Sequence, residues 1–449
     1  MKRRHLCYTK PIWFEGGLQT SLRIPPEYRQ NTTPIRSQFY VMNPDNYEFY
    51  RTRRLPPYLF AEVNRMKLAL RQAGSDVIDF GMGNPDMAPP EHVISKLTDV
   101  LSKPRIHRYS QSRGVPGLRK AFAGYYARRF GVELDPESEV VATIGSKEGL
   151  ANLAMAITAP GDIMLVPNPS YPIHAFGFII AGASLRYLPT ATAPDFFERL
   201  KRAVEYSVPK PMALVLNYPS NPTAEVVDLD FYQQVVDFCR HQKIYLLSDL
   251  AYAEIYFDDQ PPPSVLQVPG AKEIAIEFSS LSKTYSMAGW RVGFAAGNPT
   301  LIAALARIKS YLDYGAFTAI QVAATAALNG PQDYVETLRT TYRKRRDVLA
   351  EGLVDAGWEV RVPSASMYLW QKIPEPFDRL GSLAFSKLLL EKAQVAVSAG
   401  VGFGEYGDGH VRMALVENEQ RIRQATRSIR HFMLTHCNVD IDRLRAEYS

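Results

Sequence analysis

Lys283 is the residue in this sequence with the most chemistry to offer. It lies in the run SLSKTYSMAGWRVG, 280–293, just past an apolar stretch, EIAIEF, 273–278, that predicts a buried strand. A lysine behind a strand is ordinarily a solvated loop charge. The neighbours here argue for more. Ser280 and Ser282 bring hydroxyls, Gly289 and Gly293 let backbone approach a ligand closely, and Arg291 brings a planar fork suited to a phosphate. An amine that can condense with an aldehyde, set beside phosphate-holding groups, is what pyridoxal phosphate asks of a protein.

Other polar residues stand where strands end. Ser146, in GSKEG, opens a predicted helix directly after a strand and is expected to cap it. The free N–H groups of such a turn also suit a phosphate. Asp249 ends the apolar run KIYLLSD, a costly place for a carboxylate unless it is paired. A helix N-terminus or an arginine would be the ordinary partner. Asn221 sits in an Asn-Pro turn, Tyr171 in a turn between two prolines, Tyr109 in the loop HRYSQSRG, and Arg412 on a predicted strand between apolar neighbours. Taken singly, each of these has an ordinary reading as turn, packing or surface.

The run 280–293 resembles the lysine-attachment signature of the class I/II aminotransferases, with every position filled. The resemblance extends from about Arg51 to about Phe432. The runs RLPPYLF (54–60), TIGSKEGLA (143–151), NPSYPIH (168–174) and ARIKSYLDYG (306–315) resemble the bacterial alanine (glutamate–pyruvate) aminotransferases. The resemblance implies a pyridoxal-phosphate enzyme of fold type I. Lys283 would hold the cofactor and move the substrate's Cα proton. Asp249 would pair with the pyridine nitrogen, Tyr171 stack on the ring, and Asn221 and Tyr252 donate to its hydroxyl oxygen. Ser146, the backbone of Lys147 and Glu148, Ser280 and Arg291 would hold the phosphate. Tyr109 would reach the phosphate of a second subunit, so that two chains build each site. Arg412 would clamp the substrate's α-carboxylate, and the N–H of Gly83, or alternatively Gly81, would assist.

The implied reaction is ping-pong transfer of an amino group between L-alanine and 2-oxoglutarate. LL-Diaminopimelate, aspartate or methionine specificity, or β-elimination by a lyase on the same fold, are the competing readings. Lys147 is the candidate for a distal carboxylate; alternatively only its backbone N–H matters.

These residues need a scaffold that delivers them to one place. From Val140 on, apolar runs alternate with helical segments, which predicts a parallel sheet covered on both faces, with ligands at the strand C-termini; the resemblance to fold type I implies that it is seven-stranded and mostly parallel. Residues 90–330 are expected to form this large domain. Residues 331–449 should form a smaller α/β domain with strands near 358–362, 366–372, 395–398 and 410–416, completed by 51–89. Residues 1–50 are expected to be a poorly structured extension, with 1–41 dispensable and Met42 a candidate start.

Composition narrows the remaining classes. With 46% hydrophobic and 22% charged residues, the chain of 449 is of ordinary globular type. The net charge of +6 lies mostly in residues 1–41, which hold seven Lys/Arg against two Asp/Glu and leave 45 against 44 for the rest. That distribution argues against a nucleic-acid partner, and no helix-turn-helix module precedes residue 50 to suggest a regulator. Three scattered cysteines give no disulfide framework or metal spacing, and the expected compartment is a reducing cytoplasm. No apolar run is long enough to span a bilayer.

Overall fold

The computed structural model describes residues 49–56, 59–436 and 440–448. The expectations for residues 1–41 and for a start at Met42 lie outside the described residues.

A two-residue strand, β1 (Ile78–Asp79), comes first. The main sheet follows as β2 (Val140–Thr143), β3 (Ile163–Pro167), β4 (Ser184–Leu188), β5 (Ala213–Asn217), β6 (Tyr245–Asp249), β7 (Ala275–Ser280) and β8 (Gly293–Gly297). Its order is β2-β8-β7-β6-β5-β3-β4, and only β8 runs against its neighbours. The sheet is therefore the predicted mostly parallel one. Its inner strands read as near-continuous apolar runs because alternate side chains enter two different cores, whereas the edge strand β4 is largely exposed. Along β5, Ala213 and Val215 pack with Met164, Ile276 and Phe278 on one face. Leu214 and Leu216 pack with Leu246, Ala142 and Phe294 on the other.

A separate core forms around β9 (Tyr368–Lys372) and β12 (His410–Ala414), with β11 (Ser398–Ala399) pairing β12 and β10 (Val395–Ala396) pairing β1. The helices Asp333–Asp355, Ser382–Ala393 and Glu419–His436 pack on it, and so do Ile78 and Phe80 from the front of the chain.

Three local expectations are corrected. Residues 271–273 form a 3₁₀ turn, so the strand expected from 273 begins at Ala275. The run 358–362 is not a strand. The side-chain amide of Gln371 accepts from the Arg361 N–H at 2.9 Å and donates to the Arg361 carbonyl at 2.8 Å, replacing a backbone ladder. The run 395–398 divides at Val397, with one half paired to β1 and the other to β12. Among the described residues no helix is long and apolar enough to cross a membrane, and no cluster of potential metal ligands occurs.

Candidate active site

Strand β7 runs into a short helix, Leu281–Thr284, and Ser280 caps it by accepting from the Ser282 N–H. This turn aims Lys283 across the sheet's C-terminal edge, where Nζ donates to the Gly83 carbonyl at 2.5 Å. Burial of its stem pushes the Lys283 amine below the ordinary lysine range. Tyr368 opposes that shift, and the cationic Arg412 and Arg291 reinforce it.

Gly145, not Ser146, caps the helix Ser146–Ile157; Ser146 is its first residue and its side chain makes no capping bond. The reason lies in the turn. Gly145 has φ 80°, a left-handed conformation open to glycine, and a Cβ there would meet the Arg291 guanidinium. A Cβ on Gly293 would come within 2.7 Å of the Ser146 amide nitrogen. Ser146, Ser280, Ser282 and Arg291 thus surround a hollow that only glycine behind it keeps open.

Asp249 finds neither an arginine nor a helix terminus. Its carboxylate is 2.9 Å from Nε2 of His174, and both residues are buried. Asn221 donates through Nδ2 to the Tyr252 hydroxyl at 3.3 Å and accepts through Oδ1 from Arg412 at 2.7 Å. Arg412 also donates to the Gly81 carbonyl at 3.0 Å and to Ser398 Oγ at 3.2 Å. Its guanidinium lies between the rings of Tyr368 and Phe403, 4.2 and 4.7 Å from their centroids. The Gly81 amide is already committed to the Asp79 carboxylate at 2.9 Å.

Tyr252 and Tyr368 place their hydroxyls 3.0 Å apart. Burial, with Tyr368 beside it, pushes Tyr252 well above the ordinary phenol range. Burial also raises Tyr368, but the Arg412 and Lys283 cations outweigh it and leave Tyr368 lowered.

Most of these groups, with His174 standing behind Asp249, face one cavity of about 300 Å³. Ser146, Lys147, Tyr171, Asn221, Asp249, Tyr252, Ser280, Lys283, Arg291, Arg412, Gly81 and Gly83 line it. Tyr171 meets His174 edge-on, and the Lys147 ammonium lies 5.7 Å from the Tyr171 ring centroid. Two of the expected residues do not line it: Tyr109, expected to serve a second subunit, is 86% exposed and packs on Tyr314, and Glu148, expected to act through its backbone N–H, turns its carboxylate toward Lys309. Sequence reasoning missed His174, Tyr368, Ser398 and Phe403. His174 lies within the motif NPSYPIH and could have been found from it; Tyr368 is one apolar-looking position of a short strand and carries no local signal.

A lysine amine, a buried carboxylate and a clamped arginine meet in one cavity at a mostly parallel sheet, and the chain belongs to the family aminotransferase class I and II, whose profile matches residues 75–429. It is 62% identical over 386 residues to AatC of Rhizobium meliloti, covering 86% of this chain and 95% of that one. It is 55% identical over 382 residues to the glutamate-pyruvate aminotransferase AlaC of Escherichia coli, covering 85% and 93%. A single mutant of Thermus thermophilus aspartate aminotransferase superposes with a TM-score of 0.80 at 30% identity, covering 86% of this chain and 99% of that one.

The site fits pyridoxal phosphate at both ends. The glycine-backed hollow beside Arg291 suits a phosphate, and the buried Asp249 carboxylate suits a protonated ring nitrogen.

Proposed function

We propose that this aminotransferase uses pyridoxal phosphate to interconvert L-alanine and 2-oxoglutarate with pyruvate and L-glutamate, acting as a homodimer in a reducing cytoplasm. The observation that carries the reading is the meeting of Lys283, Asp249 and Arg412 in one cavity. The alanine and glutamate specificity rests on the similarity to AlaC. When bound, the cofactor supplies an aldehyde for Lys283 and a cationic ring that draws off the electrons of the Cα–H bond. The rest is the work of the chain. Ser146, Ser280, Arg291 and the N–H groups of Lys147 and Glu148 hold the phosphate. Asp249, steadied by His174, keeps the ring nitrogen protonated. Tyr171 packs on the ring, and Asn221 and Tyr252 donate to its hydroxyl oxygen. Arg412, with the Gly83 N–H, binds the α-carboxylate and so aligns the Cα–H bond with the Lys283 amine, which takes the proton and returns it. Gly83 is preferred over Gly81 because the Gly81 amide is already bonded.

Tyr109, exposed on its own chain, serves the phosphate of the other subunit. Lys147 meets the distal carboxylate of glutamate or 2-oxoglutarate. The core around the main sheet is the large domain, 90–330, and the core around β9 and β12 is the small one, 331–449 with 51–89.

The test is a stopped-flow screen of single half-reactions, following the cofactor's absorbance as each amino acid is mixed in turn. Alanine and glutamate should react fastest. Faster reaction with LL-diaminopimelate, aspartate or methionine would overturn the assignment of substrate and leave the chemistry.

A further inference from the structure

Lys309 takes no part in the reaction as described, yet it is fully buried (0% exposed). It projects from the helix Pro299–Leu312 and donates to Glu148 Oε1 at 2.8 Å and Asp313 Oδ2 at 2.9 Å. Each carboxylate holds something further. Glu148 accepts the Ile144 N–H at 2.8 Å, which fixes the turn leading into the hollow beside Ser146. Asp313 accepts the Gly315 N–H at 2.6 Å, and its carbonyl accepts the Ser112 hydroxyl at 2.5 Å. Gln321 grips the same loop at both ends, donating to Ser110 Oγ and accepting from the Val115 N–H, each at 2.8 Å. That loop presents Tyr109, whose ring packs on Tyr314 at 4.8 Å, with the two rings 86% and 63% exposed.

A chain of contacts therefore runs from the hollow to an exposed aromatic pair, charge-assisted around one central ammonium and completed at the loop by the neutral Ser112–Asp313 bond. Glu148 and Asp313 are mostly shielded from water, so without Lys309 two carboxylates would share a site with no counter-charge. Each would turn away, releasing Ile144 on one side and Gly315 on the other.

We propose that Lys309 is a positioning residue that ties the phosphate-binding turn, 144–149, to the loop 109–115, so that filling the one orders the other and cofactor loading strengthens subunit association. This rests on the reading of the hollow as the phosphate site and of Tyr109 as facing the other subunit. The coupling is reciprocal, because two sites that share one ordering element bias each other equally.

The full chain, free of cofactor, is compared as wild type, Lys309→Met and Lys309→Arg by amide hydrogen–deuterium exchange, sedimentation equilibrium and titration with pyridoxal phosphate. In Lys309→Met, exchange should quicken in both 144–149 and 109–115. Pyridoxal phosphate and subunit affinities should each fall roughly tenfold or more, with partial recovery in Lys309→Arg. Adding pyridoxal phosphate to the wild type should slow exchange in 109–115 as well as in 144–149. Faster exchange confined to 144–149 in Lys309→Met would overturn the proposal, as would no change in either segment. Should Lys309→Met fail to fold, Asp313→Asn leaves Lys309 balanced by Glu148 and must still loosen both segments; an effect confined to 109–115 would refute the link. A wild type that binds no pyridoxal phosphate, or stays monomeric, rejects the proposed function, while exchange in the cofactor-free chain still decides the link.

Discussion

A lysine amine can take a proton only while it carries none, and burial together with two nearby guanidinium groups favours that state for Lys283. In the unfolded chain a lysine titrates near 10.4. The folded amine titrates lower, so between the two values the unfolded state binds more protons. Stability of the cofactor-free protein should then rise with pH through that window and be lost as pH falls below it. Thermal unfolding from about pH 7 to pH 10 should show the wild type gaining on Lys283→Met as pH rises; a constant gap would mean that the amine is not perturbed. Lys283→Met should also abolish transamination while the hollow still binds pyridoxal phosphate without a covalent bond. Asp249→Asn should keep the cofactor and slow deuterium exchange at the substrate's Cα by at least roughly a hundredfold. A near-normal exchange rate would remove Asp249 from the chemistry. At this scale the sequence was legible wherever a residue sat inside a motif, as Lys283, Asp249 and Arg412 do. The pairing of Asp249 was not legible, for although His174 sits inside NPSYPIH, nothing local to that run shows that it reaches a carboxylate 75 positions away. Nor was Tyr368, which gains its meaning from the Arg412 guanidinium over its ring.

Among the elements, the inner parallel strands were readable because both their faces are buried and most of their positions are apolar. The strands β9 and β12 of the second core were readable too, falling within 366–372 and 410–416, while the division of 395–398 was not, since its two halves pair with partners far away in the chain. The run 358–362 has strand composition, yet Gln371 supplies from its side chain the bonds a ladder would have given. The assignment of Ser146 as a cap failed for a related reason. Residue preference favours serine at that position, but the close approach of Arg291 and Gly293 demands glycine one residue earlier. Gly293→Ala tests this crowding. The new Cβ would press on the Ser146 nitrogen at 2.7 Å and on the Ser279 carbonyl oxygen at 2.9 Å, atoms of two backbones that cannot rotate aside. A loss of about 1–3 kcal/mol is expected, read as a lower melting temperature, together with weaker cofactor binding. An unchanged affinity would mean that the turn yields without disturbing the hollow.

For the molecule as a whole, the decisive question is whether Tyr109 works on its own chain's site or on another's. Tyr109→Ala and Lys283→Ala chains, each expected to be poor at limiting cofactor, should regain activity when unfolded together and refolded as hybrids. Each hybrid would carry one site with Lys283 from one chain and Tyr109 from the other. Recovery is expected to approach about half the wild-type activity per hybrid dimer, since one of two sites is rebuilt. No recovery would place Tyr109 outside the shared site.

Arg412, the proposed carboxylate anchor, is already held by Asn221, Gly81 and Ser398 and flanked by two rings. A guanidinium so fixed loses little freedom when a carboxylate arrives. That matters most for a very small guest. Alanine offers a methyl group and little else, and the best small ligands gain only about 1.5 kcal/mol per heavy atom. An anchor that first had to be frozen into place would consume much of that gain. In the role proposed for it, an Arg412 frozen in advance would let so slight an amino acid be held through its head alone, leaving the tail space free for a longer one.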